Sequence, residues 1–386
     1  MQPRDEAEAI IRSWDAYERN RGSAPIIDYD CYPSGPPAEA AGSRVQVLRR
    51  LEHLYTSQVT LDHRVQARLL ADITYLRALL GERLALNDYV TRTQGCPTAG
   101  WTTEYITFKE SQARKAVESL GIEWNSNTLT ELALIEGQLT IEEASDAIRQ
   151  AASELEPTVR DLTRTNAPFN LSIEAANVDA YWAYWLDGSG PNARLRLNLR
   201  HAQFTKTQAR VFALHEVMGH ALKGASYSAQ SIEKDVPWVR LLSVHAPQQV
   251  LLEGLAQALP LFVLPDDAQT TTRTRLAHFH HLVMSEIHIA INSGATIDEC
   301  FELARSRVPY WSEDNIGNVL SDRATNPQLR SYLWSYAAGI DWFVSLADDG
   351  GSAKGDVLKA AYRAPLMPTE LEALWPEGPK VGGNNR

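Results

Sequence analysis

The stretch Thr205–Leu222, TKTQARVFALHEVMGHAL, contains the residues that decide both the fold and the chemistry predicted for this chain. Its first four residues, TKTQ, form a capping-box pattern, with a hydroxyl at the start of a helix and an amide three residues later. Apolar residues then recur on one face to the end of the stretch, which predicts a buried helix. This helix would carry two histidines, His215 and His220, and one acid, Glu216.

The spacing of the two histidines predicts that this helix is distorted. On an α-helix, residues four apart lie about 40° apart around the axis, whereas residues five apart lie about 140° apart. His215 and His220 are five apart, so an ideal α-helix would point their imidazoles in different directions. A local π-type widening would bring them together, and such widenings are frequent at functional sites. Gly219 is the residue expected to tolerate the distortion at Met218-Gly219.

A metal site follows from the same residue types. Two imidazoles and a carboxylate suit zinc and leave a fourth position for water. The apolar stretch Val250–Ala256 contains one acid, Glu253, and a carboxylate in such surroundings is costly unless it is paired or ligated. We therefore expect His215, His220 and Glu253 to bind Zn²⁺, with Glu216 as general base. The alternatives are unrelated core or surface histidines and, for Glu253, a buried ion pair or a surface acid.

Apolar periodicity predicts a mainly α fold with one small β-sheet beside the metal helix. The alternating stretch Leu195–Leu199 predicts a strand, taken as an edge strand able to pair with an extended substrate, after a turn at Asp187–Gly190. An aromatic group that could line the same cleft comprises Tyr181, Trp182, Tyr184 and Trp185. The predicted organisation is an N-terminal helical lobe over residues 1–165 and a zinc-binding catalytic lobe over residues 166–386.

The predicted helices outside the motif cover most of both halves. They are expected within residues 44–81, at 108–121 and 130–163, and then at 247–264, 267–293, 296–306, 325–348 and 354–363. Pro260 should kink or end the second metal helix. Gly254 should let the two metal helices approach closely.

Composition narrows the classes of partner and the location. The chain has 386 residues, 44% of them hydrophobic, which is enough for a sizeable core. Its net charge is −11 and it has no block rich in Lys and Arg, so neither nucleic acid nor a membrane is an expected partner. The polar N-terminus and three separated cysteines (Cys31, Cys96 and Cys300) predict a cytoplasmic protein without a disulfide framework. A peptide or a small amide-containing molecule is the expected substrate.

The two metal motifs resemble those of the bacterial domain-of-unknown-function family 885 of predicted zinc peptidases, which pairs an HExxPGH-like motif with an EGWA-like one. Later segments, Ile291–Cys300, Ser335–Gly339 and Ala364–Leu371, look like further parts of that family. The resemblance covers roughly residues 195–375 and implies a gluzincin-like helical metallopeptidase fold. The HExxxH spacing is also similar to that of the dipeptidyl-peptidase-three family and the tubulin tyrosine carboxypeptidases.

The chain departs from that family at three motif positions. Met218 replaces the proline before the motif glycine, Leu255 replaces the tryptophan of the second motif, and Pro260 replaces a second acid. The chain is also shorter than typical members in its N-terminal half. The substrate specificity of the family therefore does not transfer to this chain.

Other side chains are weaker candidates for the site. Tyr336 matches the YxxG tyrosine of the family and could donate to an oxyanion, with Tyr332 in reserve; core packing is the alternative for both. His288 is the histidine chosen from a helix that also carries His278, His280 and His281. Arg273 and Arg275 could clamp a substrate carboxylate, although solvated surface charge is the default.

These residues together predict a zinc-dependent hydrolase that cleaves an amide or peptide bond, with Glu216, Tyr336 and His288 as catalytic candidates. A zinc enzyme that modifies a small metabolite in a biosynthetic pathway is one alternative. A catalytically inactive, metallopeptidase-like binding protein is the other.

Overall fold

The computed structural model describes residues 2–35, 38–57, 61–176, 184–198 and 204–383. Helices make up most of this part of the chain, so the predicted mainly α class is confirmed. The helices of the first half are α1 (Pro3–Asn20), α2 (Arg44–Ser57), α3 (His63–Leu79), α4 (Leu86–Gln94), α5 (Thr103–Ser119), α6 (Thr128–Glu136) and α7 (Ile141–Thr163). Those of the second half are α8 (Lys206–Phe212), a π-helix (Ala213–Leu222), α9 (Lys223–Glu233), α10 (Gln249–Val263), α11 (Ala268–Asn292), α12 (Ile297–Arg307), α13 (Glu313–Leu320), α14 (Pro327–Asp349), α15 (Ala353–Ala361) and α16 (Pro368–Leu374).

The described strands form a mixed five-stranded sheet and a two-stranded one. The strands are β1 (Tyr29–Asp30), β2 (Gln138–Leu139), β3 (Asn170–Ala176), β4 (Tyr184–Ser189), β5 (Asn192–Asn198), β6 (Phe204–Thr205) and β7 (Leu241–Leu242). The larger sheet has the order β3-β5-β4-β1-β7, and β2 pairs with β6 in the smaller one. β5 is parallel to β3 and antiparallel to β4, while β1 is parallel to β4 and antiparallel to β7.

The predicted strand exists, but its expected position at a sheet edge is wrong. β5 lies between β3 and β4, so both of its edges are paired. Alternation along a strand reports that one face is buried, not how many neighbours the strand has. The residues Asp187–Ser189 belong to β4, and the turn comes at Gly190-Pro191, where Gly190 has a φ of +62°. Leu199, Tyr181 and Trp182 lie outside the described residues.

Helix starts agree with the local sequence signals. Thr140 and Glu143 form a capping box at α7, and Thr205 and Gln208 form another at α8. Each box satisfies backbone N–H groups that have no partner inside the helix. Pro260 does not end α10, which continues to Val263.

The π-helix packs in the apolar core that has the most buried residues among those described. Side chains of the π-helix such as Leu214, Val217 and Met218 join Val250 and Leu255 of α10 in this core. β4 and β5 lie against the same π-helix, as predicted for the small sheet. His215 and His220, on the same π-helix, are only partly buried.

The three cysteines are buried free thiols, so no disulfide joins them. Among the described helices, none combines the length and the low polarity that a bilayer crossing requires. The cytoplasmic location and the division at residue 165 stay predictions.

Candidate metal centre

The π-helix brings the two motif histidines together. Its i→i+5 hydrogen bonds place residues five apart above one another, much as residues four apart lie in an α-helix. The Nε2 atoms of His215 and His220 are 3.2 Å apart as a result. The predicted widening of the motif helix is thus present, and it spans Ala213–Leu222.

Contacts on the far side stabilise the widened turn. The buried hydroxyl of Tyr362 donates a 2.9 Å hydrogen bond to the carbonyl of Met218, inside the π-helix. A side chain at Gly219 would place its Cβ 2.6 Å from the Cβ of Ala256. The glycine therefore permits close contact between the π-helix and α10.

Gly254 has a different role from the predicted one. Its added Cβ would lie 2.4 Å from the backbone of Gly339 on α14, so this pair of glycines lets α10 pack closely on α14. The contact between the two metal helices depends on Gly219 instead. Sequence spacing places both glycines on helices but does not say which neighbour each one faces.

Glu253 completes a triangle of possible ligand atoms. Its Oε2 lies 3.5 Å from the Nε2 of His215 and 3.6 Å from the Nε2 of His220. This oxygen is buried and has no hydrogen-bond partner among the described residues. A buried polar atom without a partner calls for an explanation, and a cation held jointly by the three side chains would supply one.

Glu216 is a second acid beside the histidines. One ligand atom from each of His215, Glu216 and His220 can be chosen so that all lie within 4.8 Å of one another. The Oε1 of Glu216 is 3.6 Å from the Nε2 of His215, but no carboxylate oxygen of Glu216 lies within 4.0 Å of His220. Because Glu253 is nearly equidistant from both imidazoles, we favour Glu253 as the third ligand over Glu216.

The other carboxylate oxygen of Glu253 is held by two donors. Gln249, one turn earlier on α10, donates to Oε1 at 2.8 Å, and the Tyr332 hydroxyl donates to it at the same distance. Tyr332 has a single proton to donate, so the hydroxyl of Tyr336, 2.6 Å away, donates to Tyr332. These contacts fix the orientation of Glu253 with Oε2 towards the histidines.

Burial and neighbouring charges shift the pKa values of Glu253 and His215 in opposite directions. Burial alone would raise the pKa of Glu253, but the neighbouring imidazoles of His220 and His215 hold that pKa well below its usual value. Burial would lower the pKa of His215, whereas the charges of Glu216 and Glu253 raise it. The ionised form of Glu253, with Oε2 free of hydrogen bonds, is the form that could bind a cation.

The candidate ligands line a cavity of about 280 Å³. His215, His220, Glu216 and Glu253 form part of its wall, together with both Tyr332 and Tyr336. The structure therefore brings together the predicted metal ligands, the predicted base and the predicted tyrosine. Apolar side chains line much of the remainder: Leu186, Leu242, Val244, Leu252 and Leu329.

His288 is not among the residues that line this cavity. Its Nε2 lies 3.1 Å from the carbonyl of Arg330, and burial lowers its pKa to about 3. Among the histidines of α11, His281 comes nearest to the site, because its ring stacks on Tyr336 with 5.2 Å between centroids. His288 lies on α11 seven residues from His281, and helical periodicity alone does not show which of the two contacts a residue of the cavity wall.

The two arginines proposed as a substrate clamp are already paired. Arg273 makes a two-pronged ion pair with the buried carboxylate of Glu136. Arg275 pairs in the same manner with Asp348. Neither lines the metal cavity.

Sequence reasoning missed several residues of the site. Asp28 lines the cavity from the loop before β1, far from the motif in sequence, and no local signal marked it. Gln249 could have been found, because it precedes Glu253 by four residues on one helix. Lys223 is not among the lining residues, but it donates to the carbonyl of Leu252, which lines the cavity. It is fully buried, and burial lowers its pKa to about 7.

Comparison with known proteins finds a structure of similar fold and assigns no family. No protein-family model matches the chain, and no curated relative matches it either. The structure is similar to the crystal structure of a presumed lipoprotein from Colwellia psychrerythraea, with a TM-score of 0.59 over 87% of this chain and 67% of that chain. The two sequences are 12% identical, so the similarity is one of fold.

Proposed function

We propose that this chain is a zinc-dependent hydrolase of an amide or peptide bond. The observation that supports it is the triangle of His215 Nε2, His220 Nε2 and Glu253 Oε2, whose sides are 3.2, 3.5 and 3.6 Å. Ligand atoms about 2.0–2.2 Å from a tetrahedral zinc ion stand about 3.3–3.5 Å from one another. Both the donor types and their spacing thus fit zinc.

The remaining side chains of the cavity would serve the hydrolysis. A zinc ion held there would polarise a carbonyl oxygen and make water a stronger nucleophile. Glu216 would take a proton from the attacking water and return it to the leaving amine. Tyr332 would keep its hydrogen bond to Glu253. The hydroxyl of Tyr336 would turn from Tyr332 and donate to the oxygen that gains negative charge.

The size of the cavity favours a small substrate. About 280 Å³ lies at the lower end of the range of ligand pockets, about 300–1,000 Å³. A small amide, or the terminal residue of a peptide, fits this volume better than several residues of an extended chain. A tailoring step on a small metabolite is therefore the second candidate function. Membership of family 885 is part of the proposal and is supported by the two motifs alone.

The test is Glu216→Gln in the zinc-loaded protein. Because Glu216 is proposed to move protons and not to bind metal, we expect hydrolysis to fall by at least about 10²-fold while zinc content is unchanged. Cleavage of a peptide library and of a panel of small amides would be measured, with the exposed Glu233→Gln as control. A wild type that takes up no zinc from metal-supplemented buffer would contradict the proposal. Unchanged turnover in Glu216→Gln would identify a different base.

A further inference from the structure

Asp28 is held rigidly at the wall of the metal cavity. Its backbone N–H donates to the carbonyl of Leu242 at 3.0 Å, and its Oδ2 accepts from the N–H of Val244 at 2.8 Å. Leu242 belongs to β7 and Val244 follows it by two residues, so the carboxyl group is placed by the β7 edge of the larger sheet. Asp28 lines the cavity together with the metal-site residues.

The second oxygen of Asp28 is not used by the protein. Among the described residues, nothing donates a hydrogen bond to Oδ1, and no Lys, Arg or His forms an ion pair with this carboxylate. Many of the cavity side chains around it are apolar. Burial raises the pKa of Asp28 to about 7, which is the direction expected for a carboxylate removed from water without a cation.

Arg68 is the cation whose charge acts on Asp28. Its guanidinium is already committed to Asp72, to the carbonyl of Leu241 and to the hydroxyl of Ser243. Asp28 also borders a larger cleft of about 890 Å³, which contains several arginines. In that cleft Arg12 pairs with Asp30, while Arg194 and Arg196 both pair with Asp187. Asp28 lines both cavities, and the arginines of the larger cleft already have acidic partners. The negative charge of Asp28 is therefore available to a ligand.

We propose that Asp28 binds a protonated amino group of the substrate, so that the site prefers amides carrying a free amine near the bond that is cleaved. This proposal rests on the proposed hydrolase function for the identity of that bond. The small volume of the cavity places the amine within about one residue of the metal ligands. A carboxylate–ammonium pair in a partly desolvated site is a charge-assisted hydrogen bond, which is stronger than a neutral one. Asp28 would thus set specificity and would not take part in the proton transfers.

The test is a binding experiment with two matched probes on the zinc-loaded full chain. Leucine hydroxamate has a free α-amine, and 4-methylpentanohydroxamic acid has a hydrogen in place of that amine and is otherwise the same molecule. We expect wild-type protein at pH 7.5 to bind the free amine at least about tenfold more tightly by calorimetry, which corresponds to about 1.4 kcal/mol. In Asp28→Asn the two probes should bind within about twofold of each other. Asparagine retains an oxygen for the N–H of Val244, and thermal melting would verify that the variant folds.

The exposed Asp356→Asn removes the same charge far from the cavity and should keep the wild-type preference. Equal binding of both probes to wild type, binding of neither, or a preference that survives in Asp28→Asn would overturn the proposal. The hydrolase function fails separately. If the amine preference depends on Asp28 but no amide is cleaved, the binding role stands and the hydrolase does not. If cleavage depends on Glu216 but no amine preference is measured, the hydrolase function stands and the binding role of Asp28 does not.

Discussion

Two buried clusters of this protein each join histidine to a carboxylate, and they differ in how completely the carboxylate is hydrogen-bonded. In the Asp341 cluster, Oδ1 accepts from His278 at 2.9 Å and from Tyr105 at 2.7 Å, while Oδ2 accepts from Trp101 at 2.7 Å. In the metal cluster of His215, His220 and Glu253, the Oε2 of Glu253 has no donor.

The difference supports a structural role for the Asp341 cluster and the proposed ligand role for the cluster of His215, His220 and Glu253. A buried carboxylate with all its donors in place stabilises the packing of the elements that supply them. Burial alone would raise the pKa of Asp341, but its hydrogen bonds from His278, Tyr105 and Trp101 hold that pKa below the usual value. The metal cluster has two imidazoles facing one bare oxygen, an arrangement that a cation would stabilise. Four experiments can break or sharpen this comparison.

The largest effect is expected from removing one histidine of each cluster. His215→Ala should lose nearly all bound zinc, because two protein ligands rarely hold the ion tightly. His278→Ala should keep about one zinc ion per chain and lose about 3 kcal/mol of unfolding free energy, since it breaks a buried hydrogen-bonded pair. Elemental analysis and denaturant unfolding would measure the two quantities. Zinc loss in a folded His278→Ala would remove the distinction between the clusters.

A change at the contact between α10 and α14 should disturb both clusters. Gly254 adjoins Glu253, and its partner Gly339 is two residues from Asp341. Because an added Cβ would lie 2.4 Å from the backbone of Gly339, we expect Gly254→Ala to cost about 1–3 kcal/mol of unfolding free energy and to weaken zinc binding. Gly317→Ala on α13, whose Cβ would meet nothing within 4 Å, is the matched control. An equal response of both variants would mean that the helices can separate at little cost.

The hydroxyl that orients Glu253 should contribute to metal affinity. Tyr332→Phe removes the 2.8 Å hydrogen bond to Oε1, and loss of such a supporting contact typically weakens metal binding about 10–100-fold. Competition with a chromophoric chelator would measure the zinc affinity. Tyr310→Phe removes a comparable hydroxyl contact to His280 away from the site and should leave the affinity unchanged. An unaltered affinity in Tyr332→Phe would show that Gln249 alone is sufficient.

The smallest expected effect is the loss of unfolding free energy caused by burying the charged carboxylate of Asp28. Its pKa in the folded protein, about 7, lies above the unperturbed 3.8, so between these pH values the folded state holds a proton that the unfolded chain has released. Wild-type stability therefore falls as pH rises through this window. Asparagine does not titrate, so the advantage of Asp28→Asn should grow from pH 4 to pH 7 and then level off. Because Asp28 is partly exposed, solvent screening should hold this advantage to about 1–2 kcal/mol, below the value that the full pKa shift would give.

Unfolding of the metal-free protein at several pH values would measure this difference. Removing zinc matters, because a nearby cation would favour the ionised form of Asp28. Asp356→Asn removes the same charge at an exposed position of α15 and should show no such pH trend relative to wild type. A constant difference between Asp28→Asn and wild type would mean that Asp28 has an ordinary pKa.

Local features of this fold were predictable from the sequence, and long-range ones were not. The capping boxes at Thr140 and Thr205 involve residues three apart, and the five-residue spacing of the histidines requires a widened helix. These signals lie within one element. The partners of β5, the helix faced by Gly254 and the arrival of Asp28 at the cavity depend on segments distant in sequence.

The same limit explains the outcome for the candidate catalytic residues. The short YxxG motif predicts Tyr336 as a site residue, and Tyr336 lines the cavity. His288 was chosen from a helix with several histidines, where periodicity gives a face but not the neighbour of that face. Which histidine faces the site depends on how α11 packs against α14, and one helix read alone does not contain that information.

The π-helix also changes how the continuous helical segment from Lys206 to Glu233 must be aligned with other sequences. A π turn is equivalent to one residue inserted into a regular helix, so side chains after Leu222 are rotated by about 100° relative to those before Ala213. A relative that lacked one residue at Val217-Met218 would have the common four-residue spacing and could keep its zinc ligands. It would, however, need a different set of apolar positions on one side of the motif. The motif length and the packing of α9 are therefore expected to vary together.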